Sequence, residues 1–311
     1  MSVPTEVTPL GVGGAIPARG RHLSGLTLRR EGRMVLFDCG EGTQLQLLRA
    51  GLLGDRLEAV FVTHLHGDHL FGLPGLISTL GLQDREKPLA IVGPEGIRDF
   101  LGAVPGITFG EGPYRLDITE LPEDTQHEVV YQTDAFRVEA RPLAHRVPCF
   151  GYRYEETARA GRFDADAARA AGVTPGPDFK TLARGGTVLV DGREVTPEAI
   201  VGPERPGTAV AYCLDTAPCD GGRALASGAG LLIHDATFGD GEAARAGETG
   251  HSTARQAAEV ARDAGARGLL LTHFSARYSE TQPLVAQARE VFESAAAAEE
   301  LVSVRVFPLE A

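Results

Sequence analysis

A chain of 311 residues with 43% apolar and 23% charged residues has the composition of a globular protein and the length of one large domain or two small ones. A formal net charge of −12 argues against wholesale wrapping of nucleic acid, although a local basic patch or bound divalent cations would reverse the field inside an acidic pocket. Cys39, Cys149, Cys213 and Cys219 show no CxxC spacing, which sets aside a disulfide scaffold and a thiolate metal site. The chain shows no basic-then-apolar leader and no long uncharged apolar run, so a cytoplasmic protein outside the membrane is expected.

In chain order, MVLFDCGEGTQLQLLRAG reads as a strand over Met34 to Phe37, a turn at Gly40 and Gly42, and a short helix with Leu45 and Leu48 on one face, stopped by Gly51. LEAVFVTH is apolar nearly throughout, as in a strand covered on both faces. HLFGLPGLISTLGL predicts a helix with Pro74 near an end or a bend, and PLAIVG a further buried strand. FRVEARPLAH alternates as a strand running to His145. Residues 155–185 are rich in Arg, Ala, Gly and Pro and poor in core material. They read as a surface excursion too small for an independent domain, with one short helix at Asp164 to Ala171. TAVAYCLD and GLLIHDAT resume the strand pattern. HSTARQAAEVARDAG predicts a helix capped by Ser252, with a stripe of Ala254, Ala257, Val260, Ala261 and Ala264 that ends at Gly265 or Gly268. The strand LLLTH follows, then a helix over Gln282 to Glu299 and a last strand over Val302 to Phe307. This alternation predicts a layered α/β fold. VFVTH and LLLTH both end a strand with Thr-His, as two similar halves meeting at one site would.

VFVTHLHGDH, Val60 to His69, concentrates the chemistry. His64 and His66 alternate out of a strand end and point the same way, while Gly67 permits a turn that brings Asp68 and His69 to the same cavity. Imidazole and carboxylate together suit zinc, iron or manganese, and so many polar groups behind an apolar strand otherwise need hydrogen bonds. A solvated surface loop is the bland alternative. Four ligands cannot fill two metal shells. His145, Asp215 and His273, each after an apolar run, are candidates to complete them; His22, His127, His234 and His251 compete for the same roles.

THLHGDH is the HxHxDH signature of the metallo-β-lactamase superfamily, and the chain more closely resembles the ribonuclease Z family. FDCGEGTQLQ, HGDHLFGLPGL, GYRYEE after His145, CLDTAPC, HDATF, HSTARQAA and LTHFSARY match that family in order over nearly the whole length. HxHxDH alone marks only the superfamily; HST together with THFSARY is far more specific. The resemblance implies a four-layer αββα fold, one domain over 1–311 with a protruding tRNA-binding arm inserted at about 155–185. It implies a homodimer and a zinc-dependent endoribonuclease that cuts the 3′ trailer from precursor tRNA, leaving a 3′-hydroxyl on the tRNA and a 5′-phosphate on the trailer. Neither DNA nor a membrane is an expected partner. Two Zn2+ per subunit are implied, with manganese or iron as substitutes. One would take His64, His66 and His145; the other Asp68, His69 and His273; Asp215 would bridge them. Asp68 would accept a proton from the attacking water and His251 would lie near the leaving group. Implied substrate contacts are Arg19, Arg21, Gly176, Pro177, Lys180, Arg184 and Arg277, with Arg159, Arg162 and Arg169 adding charge to the arm. Read alone, His251 is a helix-capping partner, Arg277 a surface ion pair and Phe179 a packing residue of the arm. A compact-substrate hydrolase of the same fold, a small-molecule phosphodiesterase or arylsulfatase-like enzyme, is the competing reading.

Three departures from the family pattern stand out. The loop PARGRH, Pro17 to His22, has Arg19 where lysine and His22 where asparagine is usual. Leu214 precedes Asp215 where glycine is usual, adding bulk beside the bridging carboxylate. Asp235 in HDATF replaces glutamate with a shorter arm, and His234 beside it is expected in the core or behind the metal ligands.

Overall fold

The computed structural model describes residues 3–107, 112–158 and 160–308; Arg159 lies outside the described residues. The first half of the chain runs β1 (Thr5–Gly11), β2 (Gly13–Gly14), β3 (Gly25–Arg30), β4 (Arg33–Phe37), α1 (Thr43–Arg49), β5 (Leu57–Phe61), α2 (Gly67–Leu70), α3 (Leu73–Leu82), β6 (Leu89–Pro94), α4 (Ile97–Gly102) and β7 (Leu116–Leu121). Next come β8 (Glu128–Gln132), β9 (Phe136–Pro142) and β10 (Phe150–Glu156), then an insertion with α5 (Ala165–Ala170), α6 (Pro177–Ala183), β11 (Val188–Val190) and β12 (Arg193–Val195). The chain returns through β13 (Ala209–Cys213), α7 (Asp220–Ala226), β14 (Leu231–Asp235), α8 (Ala243–Thr249), α9 (Ala254–Asp263), β15 (Leu269–Thr272), β16 (Phe274–Ser275), α10 (Gln282–Arg289), β17 (Ala295–Ala297) and β18 (Val304–Val306).

Two seven-stranded sheets follow, ordered β18-β1-β3-β4-β5-β6-β7 and β17-β15-β14-β13-β10-β9-β8. Alternation along the strands explains the layering. Val35, Phe37, Ala59 and Phe61 point to the inter-sheet core with Phe136, Val138, Tyr152 and Tyr212 of the other sheet. Met34, Leu36 and Val60 point the other way, onto Leu47 of α1, Leu73, Leu76 and Leu80 of α3, and Leu101 of α4. Ala257, Val260 and Leu284 cover the second sheet from α9 and α10. The result is the αββα arrangement of the metallo-β-lactamase fold. Strands β4 to β7 run parallel, as do β13, β14, β15 and β17, so their carboxyl ends carry consecutive loops to the same edge of each sheet.

Several boundaries differ from the sequence reading. Pro74 lies in the first turn of α3, where no donor is lost, so the expected single helix is two, α2 and α3. Thr253, not Ser252, caps α9: its hydroxyl accepts from Gln256 N and the Gln256 side chain accepts from Thr253 N. Ser252 instead donates to Thr216 O at 2.7 Å. The helix expected to Glu299 stops at Arg289, because Ala295–Ala297 pair with β15 as its edge strand; pairing overrides the helical preference of alanine. No helix among the described residues is long and apolar enough to cross a membrane.

Residues 156–208 form a second compact unit. It is longer than the excursion expected at 155–185 and has a small core of its own: Ala168, Val173, Leu182, Val188 and Ile200, with Phe163 and Phe179 packed against it. Val188 and Ile200 lie beyond Gly185, where the composition ceases to look like a loop; the β11–β12 hairpin and these two residues close the unit. Asp164 caps α5 through Asp166 N and Ala167 N. Gly176 has φ 147°, open to glycine but rarely to other residues, and Pro177 starts α6. Lys180 and Arg184 are exposed.

Candidate metal centre

The structure brings His64, His66, His145, Asp68, His69, Asp215 and His273 together from four separate stretches. Strand β5 delivers His64, β13 Asp215 and β15 His273, each just past a parallel strand's carboxyl end. Ligand atoms of His64, His66 and His145 lie within 4.8 Å of one another, as do those of Asp68, His69, Asp215 and His273. Asp215 faces both groups. Its Oδ2 is 3.7 Å from His64 Nε2, and its Oδ1 is 3.4 Å from His69 Nε2 and 3.1 Å from His273 Nε2. Asp68 Oδ2 is 3.4 Å from His69 Nε2 and 3.5 Å from His273 Nε2.

Hydrogen bonds at the back of the rings decide which nitrogen faces the centre. His69 Nδ1 donates to Asp38 Oδ2 at 2.7 Å, His145 Nδ1 to Gly250 O at 2.9 Å, His273 Nδ1 to Thr237 Oγ1 at 2.9 Å and His64 Nδ1 to Thr63 Oγ1 at 3.0 Å. Each bond leaves Nε2 as the nitrogen that can face a cation; at His69 burial is outweighed by Asp215 and Asp38, which raise the pKa, so that its Nε2 holds a proton that a cation would have to displace. His66 is reversed, with Nδ1 2.9 Å from His64 Nε2. Burial, first of all, lowers the pKa of His64, His66 and His145, keeping those rings neutral as ligands require. Burial also opposes ionisation of Asp68 and Asp215, but the facing imidazoles outweigh it and hold both carboxyls well below the usual range.

This donor set fits cations. His145 Nε2 and Asp215 Oδ1 are buried with no hydrogen-bond partner among the described residues. Such atoms cost about 1–3 kcal/mol each when nothing satisfies them. Both point into the histidine–aspartate cluster, and neutral imidazole plus carboxylate is a donor set for first-row divalent metals.

Several contributors carry no signal in linear spacing. Asp38, fully buried just past β4, accepts from Thr63 N, Thr63 Oγ1, His69 Nδ1 and Tyr212 Oη. Asp38 and His273 both hold left-handed backbone, φ 55° and 60°, a conformation retained where surrounding structure enforces it. Thr237 links His273 to Asp235, donating to Asp235 Oδ1 at 2.7 Å. Ala15 N donates to Asp68 Oδ2 at 2.7 Å. The nearest clue was an aspartate at the end of the strand beside the one that carries the cluster.

The competing histidines separate cleanly. His127 pairs with Glu139, His22 with Glu300, and buried His234 bonds Asp235 O. His251 does join the centre, with Nδ1 2.7 Å from Asp235 Oδ2. Burial disfavours its charged form, but Asp235 prevails and pushes the pKa up to about 9. The shorter Asp235 therefore still reaches its histidine; it also accepts from Thr216 N. Leu214 is buried, and the Leu214–Asp215 peptide is cis. Arg19 is exposed. Arg21 donates to Ser275 O and Ser279 O, while Arg277 pairs with Glu242 beneath Phe238.

An αββα scaffold with two histidine–aspartate clusters sharing one buried carboxylate defines a metal-dependent hydrolase of the metallo-β-lactamase fold. Residues 5–101 match the family model for the anti-Pycsar protein Apyc1. Over 307 residues the chain is 52% identical to ribonuclease Z of Salinibacter ruber, covering 98% of this chain and 95% of that protein. It is 42% identical to ribonuclease Z of Methanothermobacter thermautotrophicus, covering 97% and 96%. The crystal structure of human tRNase Z, short form (ELAC1), superposes with a TM-score of 0.71 at 31% identity, covering 97% of this chain and 99% of that one. The chain belongs to the ribonuclease Z family.

Proposed function

We propose that this protein is a zinc-dependent endoribonuclease that removes the 3′ trailer from precursor tRNA. The observation that carries the reading is Asp215, whose two oxygens face two separate histidine clusters in a member of this family. His64, His66 and His145 would hold one metal, and Asp68, His69 and His273 the other, with Asp215 between. Bound there, a metal pair supplies an acidified water and offsets charge on the phosphoryl oxygens.

The chain's own groups complete the chemistry. Ala15 N and the Nε2 atoms of His69 and His273 surround Asp68 Oδ2, leaving Oδ1 to take the proton of the attacking water. His251, oriented by Asp235 and protonated through it, donates from Nε2 to the departing 3′ oxygen. The phosphorus–O3′ bond breaks as the water oxygen bonds to phosphorus. The tRNA leaves with a 3′-hydroxyl and the trailer with a 5′-phosphate. No serine or cysteine nucleophile enters.

RNA binding falls to Arg19 and Arg21 near the centre, to Arg277, and to Gly176, Pro177, Lys180 and Arg184 of the inserted unit. Residues 156–208 contain seven Lys or Arg and eight Asp or Glu, near neutrality in a chain of net charge −12. Its cations meet phosphates with less repulsion than the rest of the chain would impose. Homodimer formation is supported by apolar side chains that α1 and the end of α2 leave outside: Leu45 and Leu48 at 54% and 61% exposure and Phe71 at 62%. From that substrate we infer a cytoplasmic enzyme.

Asp68→Ala should abolish cleavage of precursor tRNA by metal-loaded protein, with both product ends mapped, while the fold is retained. Full turnover by that variant would end the assignment. The Lys180→Ala/Arg184→Ala pair should raise KM for precursor tRNA and flatten its salt dependence, yet spare a small aryl phosphodiester. A second reading, a small-molecule phosphodiesterase, is favoured by the match of residues 5–101 to the anti-Pycsar model. Efficient cyclic-nucleotide hydrolysis without precursor cleavage would select it.

A further inference from the structure

The loop between β2 and β3 runs from the centre to a carboxylate that the chemistry does not use. At its start, Gly13–Gly14 pair with Phe274–Ser275 and Ala15 N donates to Asp68, so this end is held by the centre itself. Its middle is open: Ile16 is 61% exposed, and Arg19 and Gly20 are exposed. Pro17, Gly20, Arg21 and His22 line a cleft of about 340 Å³. Its far end closes on Glu300. Glu300 Oε1 accepts from His22 N at 2.6 Å, and Oε2 accepts from His22 Nδ1 at 2.7 Å and from Gln46 Nε2 at 3.1 Å.

The surrounding network makes this a rigid latch. Glu300 sits on a pinned turn, with Ala298 N donating to Leu271 O and Leu301 N to Pro9 O, each at 2.8 Å. Its side chain is only 16% exposed. Gln46 is buried and also donates to Leu10 O at 2.8 Å. Arg49 donates to Gln46 Oε1 at 2.8 Å and lies 3.4 Å from His22 Nε2. A guanidinium only donates and a carboxylate only accepts, so His22 stands between them as the Nδ1–H tautomer. A mostly buried carboxylate that accepts twice from one loop residue and once from α1 has no packing purpose in the core.

We propose that Glu300 is a positioning residue for RNA, holding the Arg19–His22 segment in the conformation that meets substrate phosphates. This rests on the reading of the protein as an endoribonuclease. Gly13 N donates to His22 O at 2.9 Å, so the two ends of the loop meet, but Asp68 is gripped directly by Ala15 N and not by the latch.

The test compares the metal-loaded parent with Glu300→Ala, Glu300→Gln and His22→Ala/Glu300→Ala. Glu300→Ala should raise KM for precursor tRNA about tenfold, the equivalent of one charge-assisted hydrogen bond, with kcat within about twofold. Glu300→Gln keeps an acceptor for His22 N and should fall between. The double variant should be no worse than Glu300→Ala. Hydrogen exchange of amides 17–22 should quicken in Glu300→Ala, a readout that needs no RNA. Unchanged exchange, or quickened exchange with unchanged KM, overturns the proposal. Equal losses on precursor tRNA and on an aryl phosphodiester assign Glu300 a general structural role and overturn it too. A parent that cleaves no precursor would instead defeat the endoribonuclease reading, while exchange still judges the latch.

Discussion

Replacing Asp38 with asparagine should strip metal from the centre without touching a metal ligand. Asp38 Oδ1 accepts from Thr63 N at 2.8 Å, and Oδ2 from His69 Nδ1 at 2.7 Å and Tyr212 Oη at 3.0 Å. The Thr63 amide cannot move, so the asparagine oxygen must stay on it and the new NH2 must turn toward His69 and Tyr212. The tyrosine hydroxyl rotates to accept. His69 accepts only by shifting its proton to Nε2, the nitrogen that faces His273 Nε2 at 3.3 Å and Asp215 Oδ1 at 3.4 Å. An imidazole protonated there cannot bind metal. Losing such an orienting partner typically costs 10–100-fold in metal affinity, about 1.4–2.7 kcal/mol. The metal-free protein should also lose about 1.5–3 kcal/mol of stability, because a charged acceptor becomes neutral. Competition with a chromophoric chelator measures the first, thermal melting of the metal-free protein the second. A folded Asp38→Asn protein whose weaker metal site keeps its Kd within about twofold would refute the tautomer argument.

Gly14→Ala should eject or displace His273, since its Cβ would fall 2.4 Å from His273 Cε1; elemental analysis should find less than the parent's metal content in a folded protein. Asp235→Asn should lower kcat on precursor tRNA by about 100-fold, yet barely affect an aryl phosphodiester whose leaving group needs no proton; equal losses on both would remove His251 as the proton donor. Arg85→Met should cost about 2–4 kcal/mol and lower Tm, because buried Arg85 donates to Leu57 O, Lys87 O and Pro88 O, while kcat/KM at room temperature stays at the parent's value. Chelation should lower Tm of the parent, and zinc should restore it in a concentration-dependent way, as for any ligand bound only by the folded state.

His64, His66, Asp68 and His69 were legible in the linear chain because strand alternation and one glycine turn bring them together within six residues. The layered architecture was legible too, since strands such as LEAVF are apolar on both faces. Family resemblance, not spacing, separated His145, Asp215 and His273 from His22, His127 and His234. Parallel strands ending at one edge gave the choice of Asp215 and His273 a physical basis, while His145 arrives past β9, whose ladder with β8 is antiparallel. Folding alone revealed Asp38, whose donors come from a loop, a helix and a strand, and the Glu300 latch, whose partners are 278 and 254 residues away along the chain. It also decided the end of α10, where alanines that favour a helix in isolation became an edge strand. Periodicity is a property of neighbours, so it survives in one dimension. Which nitrogen of a ring faces a cation depends on what sits behind it, and that is set only when distant segments pack.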